Sequence, residues 1–270
     1  MISNSLVLTK YEALGNDYLV LDLPAELERL QPLLPRLCDR HRGVGADGLL
    51  AFDPATLALR VFNPDGSEAE KSGNGLRIAA CHAVLRHGAG TRFEVRTRDR
   101  ANPVRVLAVE GGCVRCEVDV GEPRFEPDDW VLLDTPAGAA RCRLVSVGNP
   151  HCVVFGEAVT PERCRELGPW LERHERFPQR TNVQLAEALD RRSAHIEIWE
   201  RGAGYTLASG TSASAVAAVL IHLGLTEPDV EIRMPGGSLH VRQEPTGSLL
   251  QAGPARRVFS AEVALADLAG

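Results

Sequence analysis

The chain has 270 residues, 44% of them hydrophobic, and a formal net charge of −6. At that length roughly 75% of the unfolded surface is buried on folding, so no disulfide or metal staple is needed for stability. The acidic balance, with the Arg-rich stretch 96–105 broken by Asp99 and Asn102, excludes a nucleic-acid surface, and no apolar run reaches the ~18 residues of a membrane span, which leaves a small molecule as the expected partner.

Taken in chain order, alternating or continuous apolar runs predict strands at residues 19–22, 49–52, 58–62, 92–97, 104–109, 114–120, 145–147, 153–155, 196–199 and 239–242. Helices are predicted at 32–39, 75–86, 161–172 and 213–222. The order is α+β and not a strict β-α-β alternation. The Gly121-Glu122-Pro123 break is the best boundary, dividing the chain into 1–120, rejoined by the C-terminal segment 256–270, and 121–255.

Seven cysteines, odd in number and without framework spacing, in a chain with no signal-like N-terminus, imply a reducing, cytoplasmic setting. Cys113 and Cys116 form the one close pair and fall in a strand, with Val114, Cys116, Val118 and Val120 on one face; no second pair completes a zinc site. The Gly43-Val-Gly45-Ala-Asp-Gly48 run spells GxGxxG. It follows a helical stretch and precedes an apolar strand, the reverse of a dinucleotide-binding order.

Two segments stand out. SGNGLRIAACHAVLRHG begins at Ser72 and SGTSASAVAAVLIHLG at Ser209, each a Ser-Gly pair followed by an apolar helical run that ends in glycine. Small residues let ligand atoms approach the backbone, and the free N–H groups of a helix start attract an anion such as a carboxylate. The two starts are separated by half the chain, and Gly15-Asn16 is echoed at nearly the same interval by Gly148-Asn149, so the chain reads as two related halves with a site expected between them.

The runs TKYEALGNDYLVLD, DRHRGVGADGLL, FNPDGSEAEKSGNGLR, VGNPHCVVF, RTNVQLA and WERGAGYTLASGT follow the order found in diaminopimelate epimerases, and the chain resembles that family over nearly its whole length. The resemblance implies two pseudo-symmetric halves, each a strand-rich barrel around a central helix, and a homodimer. It also implies a pyridoxal-free isomerase of lysine biosynthesis that converts L,L- to meso-diaminopimelate by α-proton transfer. No cofactor or metal is implied. In that family two cysteines on opposite faces of the α-carbon exchange base and acid roles, which a thiol with a free pKa of ~8.5 can be tuned to do.

Here Ser72 and Ser209 occupy the two thiol positions, and a serine hydroxyl is a weak base without a partner. Read without the resemblance, each serine is a helix N-cap. Further departures are Ser214 for cysteine, Tyr205 for glutamate, Ser212 for glycine, and Lys71 before the first start; their clustering reads as natural divergence. Gly48, where some members carry glutamine, is also a common residue there.

The resemblance carries Asn16, Asn63, Asn149, Asn182, Glu200 and Arg201 over as substrate contacts, and Gly73-Asn74 and Gly210-Thr211 as backbone clamps on the reacting carboxylate. Arginine suits a distal carboxylate through its planar fork, and Glu200 suits an ammonium. Taken singly, each loop asparagine is a turn former. His151 resembles a site histidine and is a candidate base should the serines fail; its alternative is a buried, hydrogen-bonded histidine. Lys71 beside Ser72 suggests a Ser-Lys pair, although neighbours at a helix start point apart. His41, His82, His87 and His222 show no ligand spacing and read as structural.

Three functions are compatible with these residues: an amino-acid isomerase, favoured by the resemblance; a lyase or hydrolase on the same scaffold; and an amino-acid binder without catalysis.

Overall fold

The computed structural model describes residues 5–23, 27–69, 72–127, 130–136 and 138–268, and the chain divides into two compact units, Met1–Val118 with Gly253–Gly270, and Asp119–Ala252. The predicted Lys71 partner of Ser72 lies outside the described residues.

In the first unit, β1 (Ser5–Ala13) and β2 (Asn16–Asp22) form a hairpin, turned by Leu14 and Gly15 at φ 58° and 87°. Positive φ at both central residues matches the twist of the flanking strands. Short helices α1 (Leu27–Leu30) and α2 (Leu34–Leu37) lead to β3 (Leu49–Asp53), which lies parallel to β2, and then β4 (Ala58–Phe62), β5 (Glu68–Ala69), helix α3 (Gly73–His87), β6 (Arg92–Arg96), β7 (Ala101–Glu110) and β8 (Cys113–Gly121).

The second unit holds β9 (Arg124–Phe125), β10 (Val131–Thr135), β11 (Gly138–Ser146), β12 (Pro150–Phe155), α4 (Pro161–Glu172), β13 (Asn182–Ala188), β14 (Ser193–Glu200), β15 (Gly204–Thr206), α5 (Gly210–His222), β16 (Asp229–Met234) and β17 (Gly237–Gln243). The last strand, β18 (Leu249–Ala264), begins in the second unit and ends in the first, where it pairs with β1 and precedes α6 (Leu265–Leu268). With β18 pairing β8 as well, the first unit's pairings close a ring, β1–β2–β3–β4–β6–β7–β8–β18–β1. Closure leaves no open sheet edge among those strands.

Each unit has one long helix at its centre. Helix α3 packs against β1, β2, β3, β4 and β6, and α5 against β11, β12, β13, β14, β16 and β17. Both helices are buried from their first residue through most of their length, α5 on small and apolar residues and α3 with Asn74, Arg77 and His82 buried among its apolar ones. The opposite sheet faces are also covered: Leu19, Leu21, Leu49 and Ala51 pack under α1, α2 and α6, while Cys152, Val154, Val183 and Leu185 pack under α4. Strands buried on both faces read as continuous apolar runs, which is why residues 49–52 were legible as a strand.

The repeat hinted at by the two Ser-Gly starts is written into strand register. Shifted by the interval that separates Ser72 from Ser209, the parallel partners Ala58 and Arg96 become His195 and Arg233, and the antiparallel partners Arg92 and Arg105 become Asp229 and Arg242. The hairpin pairs Val61/Ala69 and Phe62/Glu68 recur at the same interval as Ile198/Thr206 and Trp199/Tyr205.

The strand with Cys113 and Cys116 has the expected face, Val114, Cys116, Val118 and Val120 being buried. The GxGxxG run precedes β3, and packing explains two of its glycines. A Cβ on Gly43 would lie 2.0 Å from the Arg36 carbonyl oxygen, and one on Gly48 2.4 Å from that of Phe62.

Several elements depart from expectation. The helix expected at 32–39 is a 3-10 turn (Gln31–Leu33) followed by the four residues of α2, with prolines at 32 and 35 limiting it. Helices α3 and α5 start two and three residues earlier than the apolar period suggested, because the capping serine and not the first apolar residue begins the helix. The strand expected at 145–147 runs from Gly138. Strands β1, β5, β9, β10, β13, β15, β16 and β18 went unforeseen; β18 contains Gly253 and Pro254, ordinary strand breakers.

Candidate active site

Ser72 and Ser209 cap the two central helices in the same geometry. Their φ/ψ values are −136°/116° and −144°/123°, and their hydroxyls accept hydrogen bonds from Gly75 N–H at 2.9 Å and Ser212 N–H at 3.4 Å. Gly75 suits its place because a Cβ there would lie 3.1 Å from Ser72 Oγ. Ser209 is buried, and Ser72 is partly exposed. The Tyr18 hydroxyl lies 3.4 Å from Ser72 Oγ.

At each helix start an asparagine from an earlier hairpin, β1–β2 or β11–β12, meets the second helical residue. In the first unit Asn74 Nδ2 donates to Asn16 Oδ1 at 3.0 Å, and in the second Asn149 Nδ2 donates to Thr211 Oγ1 at 3.4 Å. The first contact is anchored more deeply. Asn74 Oδ1 accepts from Arg77, Asn16 donates to Asp47, and Arg40 bridges Asp47 to Asp17, which also pairs with Lys10. Arg77 is wholly buried, and burial pulls its guanidinium down to about 10, still charged at neutral pH.

His151 is buried on β12, its Nε2–H donating to Asn149 Oδ1 at 2.9 Å. Asn182 stands beside it on β13, donating to the Pro150 carbonyl and accepting from Arg201 N–H at 3.0 Å. Buried Glu172 accepts from Trp199 Nε1 and Gly202 N–H and so holds the turn that carries Glu200 and Arg201. Asn149, His151, Asn182, Thr211 and Arg201 are thus tied to one another or to adjoining backbone in the second unit. Asn63 stands apart: exposed in a turn, it donates to Ser67. By register it is the first unit's counterpart of Glu200, each following the strand residue that pairs into its short hairpin.

Residues not foreseen from the sequence surround these groups. Tyr18, Asp47 and Arg77 belong to the first network, and Tyr18 was hidden in an apolar run, two residues after Asn16. Gln184 donates to Ser212, and Gln251 donates to Ser214 and to the Gly210 carbonyl, all buried. Ser212 and Ser214 therefore have structural partners. Tyr205 donates to Glu197 and lies under the Arg165 guanidinium; burial first, then that hydrogen bond, raises its phenol pKa.

None of the seven cysteines stands at the start of a central helix, and all are unpaired. Burial pushes the Cys81, Cys116 and Cys164 thiols up to about 12 and Cys38 to about 11, so these are inert packing groups. His82 and His87, read as structural from their spacing, come together with Asp22: the two Nε2 atoms are 3.2 Å apart.

A family model described as diaminopimelate epimerase matches residues 8–126 and 143–258. Diaminopimelate epimerase 2 of Nostoc sp. is 41% identical over 252 residues, covering 86% of this chain and 87% of that protein. The diaminopimelate epimerase of Desulforudis audaxviator is 38% identical over 275 residues, covering 93% of this chain and 96% of that protein. Among solved structures, a hydroxyproline epimerase from Agrobacterium vitis aligns at TM-score 0.73 and 17% identity, covering 97% of this chain and 93% of that one. A PhzF-family phenazine biosynthesis protein of Bacillus anthracis aligns at 0.71 and 16%, covering 96% and 99%. At those identities the likeness is one of fold. The family model and the two relatives cover both units, and the chain belongs to the diaminopimelate epimerase family of cofactor-independent amino-acid isomerases.

Proposed function

We propose that this protein epimerises a diamino diacid, L,L-diaminopimelate to the meso form, by α-proton transfer, with Ser72 and Ser209 as the acid/base pair. The observation that supports this reading is the matched pair of capped helix starts, each with an asparagine from a hairpin bonded to its second residue. In this reading the N–H groups following Ser72 and Ser209, at Gly73-Asn74 and Gly210-Thr211, take the reacting carboxylate. Asn16, Asn63, Asn149 and Asn182 contact the substrate, Arg201 takes the distal carboxylate and Glu200 the distal ammonium. His151, held by Asn149, orients the second start.

A hydroxyl is a far weaker acid than a thiol, so its conjugate base is scarce at neutral pH and proton abstraction is slow. Serine therefore costs rate and leaves binding intact. Proton NMR in heavy water with L,L-diaminopimelate, following α-proton loss and stereochemistry together, tests this. The native chain is expected to exchange slowly with inversion, and the Ser72→Cys/Ser209→Cys variant at least ~100-fold faster. Saturable binding without exchange in either protein would refute the reading. Exchange by the double-cysteine variant alone would make the native chain a binder. Release of water or of an acid in place of inversion would point to the lyase or hydrolase alternative.

The same reading includes a homodimer in the cytoplasm. Seven unpaired thiols support the compartment. No helix among the described residues is long and apolar enough to cross a membrane.

A further inference from the structure

We propose that Asp22, His82 and His87 form a divalent transition-metal site of the zinc class at the C-terminal end of α3. Asp22 Oδ1 lies 2.8 Å from His82 Nε2 and 3.1 Å from His87 Nε2, and the two Nε2 atoms are 3.2 Å apart. Three ligand atoms therefore converge, one from β2 and two from α3. Zinc with ligands at about 2.0–2.1 Å in tetrahedral geometry places those atoms roughly 3.3 Å from one another, close to the triangle seen here. Two imidazoles and a carboxylate suit zinc and its neighbours, and leave a position for water.

The surroundings are those of a ligand set held in place. The other nitrogen of His82, Nδ1, lies 2.9 Å from the Tyr11 hydroxyl. A hydrogen bond from Nδ1–H to that oxygen leaves the Nε2 lone pair for the ion, the usual second partner of a metal-bound histidine. Phe52 packs edge-on against His82 and stacks with His87 at 5.9 Å, limiting ring rotation. His82 is buried, whereas the Asp22 and His87 side chains are 38% and 25% exposed, which leaves the ion a path from solvent. Protons can bridge the edges of such a triangle one at a time; one cation at its apex satisfies all three atoms together.

The site is remote from Ser72. Helix α3 has 15 residues, about 22 Å at 1.5 Å per residue, with Ser72 at one end and His87 at the other. A bound ion would clip the end of β2 to the end of the central helix, stabilising the first unit without entering the reaction.

The test uses the full chain stripped with a chelator and then titrated with ZnCl2 by calorimetry, with CoCl2 as a visible-absorption probe and thermal unfolding as a separate readout. One ion per chain is expected. At hundredfold excess over Kd the melting temperature should rise by about 5 °C. His87→Gln and Asp22→Asn, both at partly exposed positions, should weaken binding at least ~10-fold and remove the thermal shift while still folding when metal-free. The proposal is overturned if the native chain shows no zinc-dependent shift, if both variants bind zinc as the native chain does, or if the melting temperature follows pH alone.

Discussion

Asn16 and Asn149 are short polar side chains that turn chemistry alone would explain. Each also reaches the second residue of a helix start, 58 and 62 residues on in the chain. Asn63, carrying an equally familiar motif, reaches no helix start; within the protein its side chain bonds Ser67 in its own turn. The sequence offered the same residue type in each case, and the difference lies in what the fold brings opposite. Asp17 gives a test at this scale. Burial opposes its ionisation, but hydrogen bonds and charge from Arg40 and Lys10 outweigh it and hold the carboxyl below its usual range. With the folded pKa depressed, the stabilisation is present above the unfolded value of ~3.9 and is lost as pH falls through the folded value. Asp17→Asn should therefore lower the melting temperature at pH 7, and the gap to the native chain should narrow steadily below pH ~4. A gap independent of pH would mean that the ion pairs contribute nothing.

At the level of elements, the two central helices were legible because their signals are local: a capping serine, small residues in the first turn, an apolar run and a terminal glycine. Gly88, at φ 66°, closes α3 as such a glycine should. The serine's role as cap is separable from its proposed chemistry. Ser72→Ala should cost about 1 kcal/mol and a few degrees of melting temperature, whereas Ser72→Gly should cost only a few tenths. Both variants should lose α-proton exchange equally, so proton exchange that tracks stability would assign Ser72 to capping alone. The missed strands lacked such local signals. In β13, polar Asn182 and Gln184 point to the helix face that apolar side chains usually occupy, which breaks the strand pattern. In β18, exposed Arg256 to Ser260 follow a buried alternating stretch, so the period changes within one strand.

For the molecule as a whole, the half-chain repeat relates parallel and antiparallel pairs alike, so the two units share a topology and not merely a motif. The interval is slightly smaller earlier in the chain, where the parallel pair Leu19/Leu49 recurs as Cys152/Val183, so short insertions in the second unit after β12 account for the difference. On the first unit, Val7 of β1 and Val258 and Phe259 of β18 are exposed apolar side chains on paired strands, and Phe259 is the one chosen to probe the proposed dimer. Sedimentation should give twice the 29.2 kDa chain mass, and Phe259→Asp should shift it toward the monomer; a native chain that sediments as a monomer at micromolar concentration would refute the dimer.

By itself the sequence determined the two serine-capped helices, the strand-rich α+β class and the family, because capping, apolar period and ordered motifs are properties of neighbouring residues. Only the tertiary structure decided which distant groups meet: Asn74 with Asn16, Thr211 with Asn149, and His82 with Asp22 across 60 residues. Those meetings depend on strand register and on which sheet face a side chain takes, and a shift of one residue would undo each of them.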